Sequence, residues 1–261
     1  MVVRVAVDHT SYIANSRASL EALKSANLLK SLNINAIIVG EAGTGKEILA
    51  KFILPQAQVV DGNSLVEVLS FISANDLIII KNFDKISNFQ TLKNAIDEHK
   101  TRVIATSRTE LLDKISSEFF SLKITIPPLI ERQEDIEPLV KKFFEEVSTI
   151  FGKNSSDDIS LKNLNPDLSK NCYSLRKSVY IKYLINSLGE EDVMQVMEEF
   201  LSKKLGGRND YRDQLYLFDV PMLRAGFKKF NSQLNMSEKF GLNRNTLRKK
   251  INDYKDSYKL Q

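Results

Sequence analysis

Short apolar, β-branched runs recur through the first half of the chain: Ala36-Ile37-Ile38-Val39, Gln58-Val59-Val60, Leu77-Ile78-Ile79-Ile80, Arg102-Val103-Ile104-Ala105-Thr106 and Leu122-Lys123-Ile124-Thr125-Ile126. Each reads as a buried strand, since most are apolar throughout rather than alternating. Helical spacing fills the stretches between, for instance at residues 19–31, 46–54 and 89–99. This alternation predicts an α/β domain with a largely parallel sheet. Pro127-Pro128 ends it, and residues 133–204 carry helical patterns with no convincing strand. Gly206-Gly207-Arg208-Asn209-Asp210 reads as a linker, and the last forty residues are helical again. The expected division is a sheet domain at 1–128, a helical unit at 129–205, a linker at 206–220 and a C-terminal helical domain at 221–261.

Composition narrows the chemistry. Cys172 is the single cysteine of 261 residues, which excludes a disulfide framework and a cysteine-based zinc site. His9 and His99 are the only histidines, little material for a metal centre or a His-dependent nucleophile. The longest apolar runs are strand-sized, far below the roughly 20 residues that span a bilayer. Met1 to Thr10 is broken by Asp8 and reads as neither signal peptide nor anchor. A cytoplasmic chain with no membrane partner is expected. The net charge of +4 divides unevenly: residues 222–261 carry +7 and the remainder −3. Only the tail points to a polyanion.

Three of the ten glycines, Gly40, Gly43 and Gly45, lie in Gly40-Glu41-Ala42-Gly43-Thr44-Gly45-Lys46-Glu47, between a predicted strand and a predicted helix. In that context backbone N–H groups cradle phosphates, and Lys46 reaches the β and γ oxygens. Glu47 occupies the position where a Ser or Thr commonly meets magnesium. This loop resembles that of NtrC-type enhancer-binding proteins, AAA+ ATPases that activate sigma-54 RNA polymerase. Residues 12–33 resemble the family's preceding helix. Pro127-Pro128-Leu129-Ile130-Glu131-Arg132-Gln133-Glu134-Asp135-Ile136 is similar to its junction into a helical lid. The resemblance spans roughly residues 12–205. It implies an AAA+ P-loop α/β domain with ATP or ADP bound at residues 40–47, followed by a helical lid.

Several residues depart from the family. Its Walker B strand ends in Asp-Glu, whereas Leu77 to Ile80 runs into Lys81-Asn82, with Asp84 as a displaced substitute. Lysine there repels a metal and asparagine is no base, so magnesium lacks its usual ligands. Ser107 replaces the sensor asparagine within Thr106-Ser107-Arg108. No arginine lies between Thr109 and Ile126, where the family carries trans-acting fingers, and Glu118 sits near that place. In the lid, Tyr173 and Leu175 align with the second sensor, with Arg176 close by. About 30 residues separate Lys46 from the third strand, and no GAFTGA loop occurs among them. Nucleotide binding with little or no hydrolysis is expected, and no direct action on sigma-54 polymerase.

In the tail, Leu223, Phe227 and Phe230 share one helical face, and Leu234, Met236 and Phe240 are the core candidates of a second helix. Gly241 marks a tight turn and Asn243 caps a third helix whose Leu247, Ile251 and Tyr254 face inward. Arg244, Asn245, Thr246 and Arg248 then reach base edges, while Lys249 and Lys250 meet phosphates. The segment from Gly241 to Ile251 is similar to the Fis-type helix-turn-helix that ends NtrC-type regulators, which implies double-stranded DNA as partner and self-association through the first helices. The expected function is a sequence-specific DNA-binding transcription regulator on a degenerate AAA+ core. The alternatives are a working AAA+ ATPase using Asp84 and Arg108, or an adaptor for another AAA+ regulator. RNA polymerase is a further expected partner, and a homodimer or higher oligomer the expected state.

Overall fold

The computed structural model describes residues 12–151 and 164–259. Residues 1–10, with His9, lie outside these, as does part of the helical stretch expected at 133–204. The described residues form two compact units, Met1–Ser187 and Leu188–Gln261.

The first unit opens with α1 (Arg17–Ser31), whose first turn is capped by the Ser16 hydroxyl. Then follow β1 (Ala36–Val39), α2 (Lys46–Ile53), β2 (Gln58–Asp61), α3 (Leu65–Ala74), β3 (Leu77–Lys81), α4 (Phe89–His99), β4 (Arg102–Ser107), α5 (Asp113–Phe119) and β5 (Leu122–Thr125). All five strands run parallel, in the order β2-β3-β4-β1-β5. Helices cover both faces. Ile37, Val39, Ile78, Ile80 and Val103 pack with the α3 and α4 side, among Val68, Ile72, Leu92 and Ile96. Ala36, Ile38, Ile79, Ile104 and Ile124 pack with α1 and α2, among Ala26, Leu29, Leu49 and Ile53. Successive strand residues therefore enter opposite cores, which is why these strands are apolar without alternation.

Beyond Pro127-Pro128, two short 3-10 turns lead into α6 (Ile136–Phe151). It packs against α7 (Cys172–Ser187) through Val140, Phe143, Leu175 and Val179. The second unit holds α8 (Glu190–Ser202), α9 (Asp210–Gln214), α10 (Tyr216–Lys229), α11 (Gln233–Phe240) and α12 (Arg244–Tyr258).

α3 and α5 also fall between the expected strands, at stretches the sequence analysis did not single out. The expected linker at 206–220 is largely helical: only the residues around Gly206-Gly207 are irregular, and α10 runs through Pro221. α8, expected in the lid, falls in the second compact unit and contributes no buried residue. Among the described residues, no helix is long and apolar enough to cross a membrane.

Candidate nucleotide site and C-terminal helices

The loop after β1 passes beneath the ends of its neighbouring strands. The Gly40 N–H donates to the Ser107 carbonyl at 3.2 Å, and a Cβ on Gly40 would lie 2.5 Å from the Ile126 carbonyl oxygen. Gly43 and Gly45 have φ of +80° and +100°, a region where a side chain is strained. Gly45 caps α2 through backbone alone, leaving the helix's first N–H groups at the loop. Lys46 is buried, with Nζ 2.6 Å from both the Gly40 and Glu41 carbonyl oxygens. Burial lowers its pKa to about 8; the Glu47 charge works against this and the Arg108 charge with it.

Three consecutive loop carbonyls are held from outside. Ala42 accepts from Asn171 Nδ2 at 3.0 Å, Gly43 from the Cys172 N–H at 3.1 Å, and Thr44 from Arg132 Nη2 at 3.1 Å. Asn171 also donates to Glu41 Oε2 at 3.1 Å and accepts from the Leu129 N–H at 2.6 Å. It has a left-handed backbone, φ +53°, immediately before α7. Arg132 is 2% exposed and joins Ser19, Asp135 and the Pro127 carbonyl. Asp135 in turn receives the Asn15 and Ser16 N–H groups and both serine hydroxyls, of Ser16 and Ser19. Burial by itself would raise the Asp135 pKa, but these hydrogen bonds outweigh it and hold the carboxyl below its ordinary value.

Above the loop lies a cavity of about 260 Å³ between the strand ends and the lid. Its lining includes residues 42–48 of the loop and α2, so the eight expected site residues at 40–47 divide cleanly: the six from Ala42 to Glu47 face the cavity, while Gly40 and Glu41 support it from behind. Lys46, Arg108, Arg132, Lys142 and Arg176 contribute positive charge, against Glu47 as the one lining carboxylate among the described residues. Tyr12, Ile13, Leu139 and Phe143 add an apolar, aromatic wall. Arg176 lies with Nε 3.2 Å from Glu146 Oε2 and its guanidinium 4.7 Å from the Phe143 ring centre. Of the two residues aligned with the second sensor, Tyr173 lines the cavity and Leu175 is buried in the lid core.

At the end of β3, Lys81 is 3.3 Å from Asp61 on β2, and Asn82 Nδ2 donates to both oxygens of the same carboxylate at 3.2 Å. Asp84 accepts from the Ser107 hydroxyl and the Arg108 N–H, each at 3.2 Å, with Lys85 at 3.6 Å. Glu118 pairs with Lys93 at 3.9 Å.

In the second unit, Val220 and Leu223 of α10, Met236 of α11 and Leu247 and Ile251 of α12 form a shared core, flanked by Phe227, Phe230, Phe240 and Tyr254. Gly226 permits the close approach of α10 to α11, since a Cβ there would lie 2.5 Å from Met236 Sδ. Gly241 has φ +63° between α11 and α12, and the Asn243 side chain accepts from the Asn245 N–H. Arg244, Asn245, Thr246, Arg248 and Lys249 are exposed along one helix. Two expectations are corrected. Leu234 is 42% exposed, with Ser237 buried in its stead. Lys250 is turned back to Asp219 of α10 at 2.5 Å, an acid that also accepts from Tyr254.

Sequence reasoning passed over Arg132 and Asn171 as site residues. Arg132 stood within the recognised junction, but Asn171 carries no local signal.

Residues 13–125 match the family model of the sigma-54 interaction domain. No curated protein matches the chain in sequence. The fold is similar to NtrX from Brucella abortus in complex with ATP, at 15% identity and a TM-score of 0.52, covering 94% of this chain and 70% of that one. It is also similar to the same protein in complex with ADP, at 14% identity and a TM-score of 0.56, covering 94% and 69%. The matched segment is the one that builds the five-stranded parallel sheet, and the likeness to the NtrX structures is one of fold.

Proposed function

We propose that the chain is a DNA-binding transcription regulator whose AAA+ core binds ATP or ADP and turns it over little or not at all. The supporting observation is the cavity itself: five basic side chains and a glycine loop at a helix N-terminus, with one carboxylate in the lining. Loop N–H groups and Lys46 would hold the phosphates, and Tyr12, Ile13, Leu139 and Phe143 would cover the base. The NtrX structures that share the fold hold ATP and ADP. Lys81 and Asn82, each engaged with Asp61, supply neither a base nor a water-polarising carboxylate at the end of β3.

DNA binding is supported by the +7 charge of residues 222–261 and by the exposed Arg244, Asn245, Thr246, Arg248 and Lys249. The turn at Gly241 between α11 and α12 suits a helix-turn-helix. Val193, Met194, Val196 and Phe200 of α8 are exposed and favour self-association, as a two-fold DNA site requires. The stretch between Lys46 and Leu77 is taken up by α2, β2 and α3, which speaks against a polymerase-contacting loop there. RNA polymerase and a second AAA+ regulator remain the candidate protein partners.

The second reading, a working ATPase, is favoured by the Asp84–Ser107–Arg108 cluster at the strand ends. Calorimetric titration of ATP and ADP, with ATP turnover followed over a range of protein concentrations, tests both. Binding lost in Lys46→Ala, with turnover at background, supports the proposal. Magnesium-dependent turnover that rises steeply with protein concentration and disappears in Lys46→Ala overturns the claim of inactivity. A mobility shift on genomic fragments that fails at low salt overturns the DNA-binding claim.

A further inference from the structure

The AAA+ fold implies a magnesium ion beside the nucleotide phosphates. The donor set here does not fit one. Magnesium takes six oxygens at near-octahedral geometry and is usually anchored by one or two carboxylates. At the end of β3, Lys81 brings a positive charge and Asn82 directs its amide N–H groups at Asp61. The Asp84 carboxylate is engaged by Ser107, Arg108 and Lys85. The Thr44 hydroxyl donates to the Glu41 carbonyl at 2.9 Å. Among the described residues, no three His, Cys, Asp or Glu side chains gather where a cation would sit. Glu47 remains the one carboxylate of the lining.

What the site has in place of acids is cations. Arg108, directly after β4, lines the same cavity as Lys46; its charge lowers the Lys46 pKa, while the charges of Glu47, Asp84 and Glu41 raise it. A polyphosphate entering the cavity would meet both cations. Arg132 and Arg176 also line the cavity, but each is paired with an acid, Asp135 and Glu146, which leaves Lys46 and Arg108 to meet the phosphates.

We infer that the polyphosphate is bound as the metal-free anion, with Lys46 and Arg108 supplying the positive charge that magnesium brings elsewhere in this fold. This rests on the nucleotide reading above and deepens it. A magnesium–nucleotide complex carries two fewer negative charges into a cationic site and has phosphate oxygens already occupied, so it binds more weakly than the free nucleotide.

The test is titration of ATP into the full chain, once in excess EDTA and once in excess magnesium, for wild type, Arg108→Ala and Arg108→Lys, with thermal melting as a check of folding. The expected result is a wild-type Kd in EDTA several-fold below that in magnesium; a Kd equal in both, or lower in magnesium, overturns the inference. Arg108→Ala should weaken binding at least about tenfold in EDTA and less in magnesium, and Arg108→Lys should recover most of the loss. Wild-type binding that requires magnesium overturns the inference and leaves nucleotide binding standing. An equal loss in both conditions for Arg108→Ala overturns the role given to Arg108. No binding in either condition overturns the nucleotide reading itself, and this inference with it.

Discussion

The Arg132 guanidinium lies 3.2 Å from the Asp135 carboxylate, both all but inaccessible to solvent, and through Nη2 it also holds the Thr44 carbonyl of the glycine loop. One ion pair thus joins the start of α1, the entry to the lid and the loop. Removing one partner of such a buried pair leaves the other uncompensated, which typically costs about 3–5 kcal/mol. Arg132→Ala is expected to lower the stability of the N-terminal unit by that order, measured by urea unfolding. Arg132→Lys should recover little, because it cannot make the forked contacts.

The same pair sets an acid limit. Asp135 is held below its ordinary pKa, so its ionised form favours the fold. Its contribution is fully present above the unfolded value, about 3.9, and is lost as pH falls through that value toward the native one. Unfolding midpoints across pH 2 to 6 should show the wild type losing stability on acidification, and Asp135→Asn losing less of it.

Lys46 predicts a limit on the alkaline side. With its pKa lowered to about 8, it carries its full charge at neutral pH and sheds it as pH rises. Nucleotide affinity should fall between pH 7 and 9, approaching about tenfold per unit above the pKa if the ammonium is required. Lys46→Arg, which stays charged, should flatten the profile; a flat wild-type profile refutes the role of the ammonium.

At Gly43 both the backbone, φ +80°, and a Cβ placed 2.7 Å from the Lys170 carbonyl oxygen oppose any side chain. Gly43→Ala is expected to push the loop from the start of α7. Its melting temperature should drop and nucleotide binding should weaken, while Gly207→Ala, in the second unit, should leave nucleotide binding unchanged.

On α12, Arg244→Ala and Arg248→Ala should each cost about 1–3 kcal/mol at a preferred site if they read bases. Lys249→Ala should weaken all sequences alike and reduce the salt slope by about one. Lys250→Ala should act differently, lowering the stability of the C-terminal unit by about 1–3 kcal/mol because Asp219 loses its partner. Competition binding with specific and random duplexes, beside thermal melts, separates the four.

The sheet was legible because its strands are apolar on both faces, so Ala36-Ile37-Ile38-Val39 needs no partner to be recognised. α3 was not: Val66 is 82% exposed while Val68 and Ile72 are buried, so the nearly continuous apolar run hides its period. Leu234 misled for the opposite reason, an apolar residue facing out where buried Ser237 bonds the Leu234 carbonyl of the helix itself. The glycine loop announced itself through spacing. Its supports did not, because Asn171 meets Ala42 across 129 residues and Arg132 meets Thr44 across 88. Lys250 shares this difficulty, its charge being taken by an acid 31 positions away.

The grip on Ala42, Gly43 and Thr44 has a consequence for the opposite edge of each peptide. In a trans peptide the C=O and the following N–H point in opposite directions across one rigid plane. Anchoring the oxygens of residues 42, 43 and 44 therefore aims the N–H groups of Gly43, Thr44 and Gly45 away from the anchors. Asn171 acts as a rudder: without lining the cavity, it turns the plane whose other end an anion would meet. Any displacement of α7 would re-aim those dipoles, so the affinity proposed for this site would be steered from its rear as much as from its mouth.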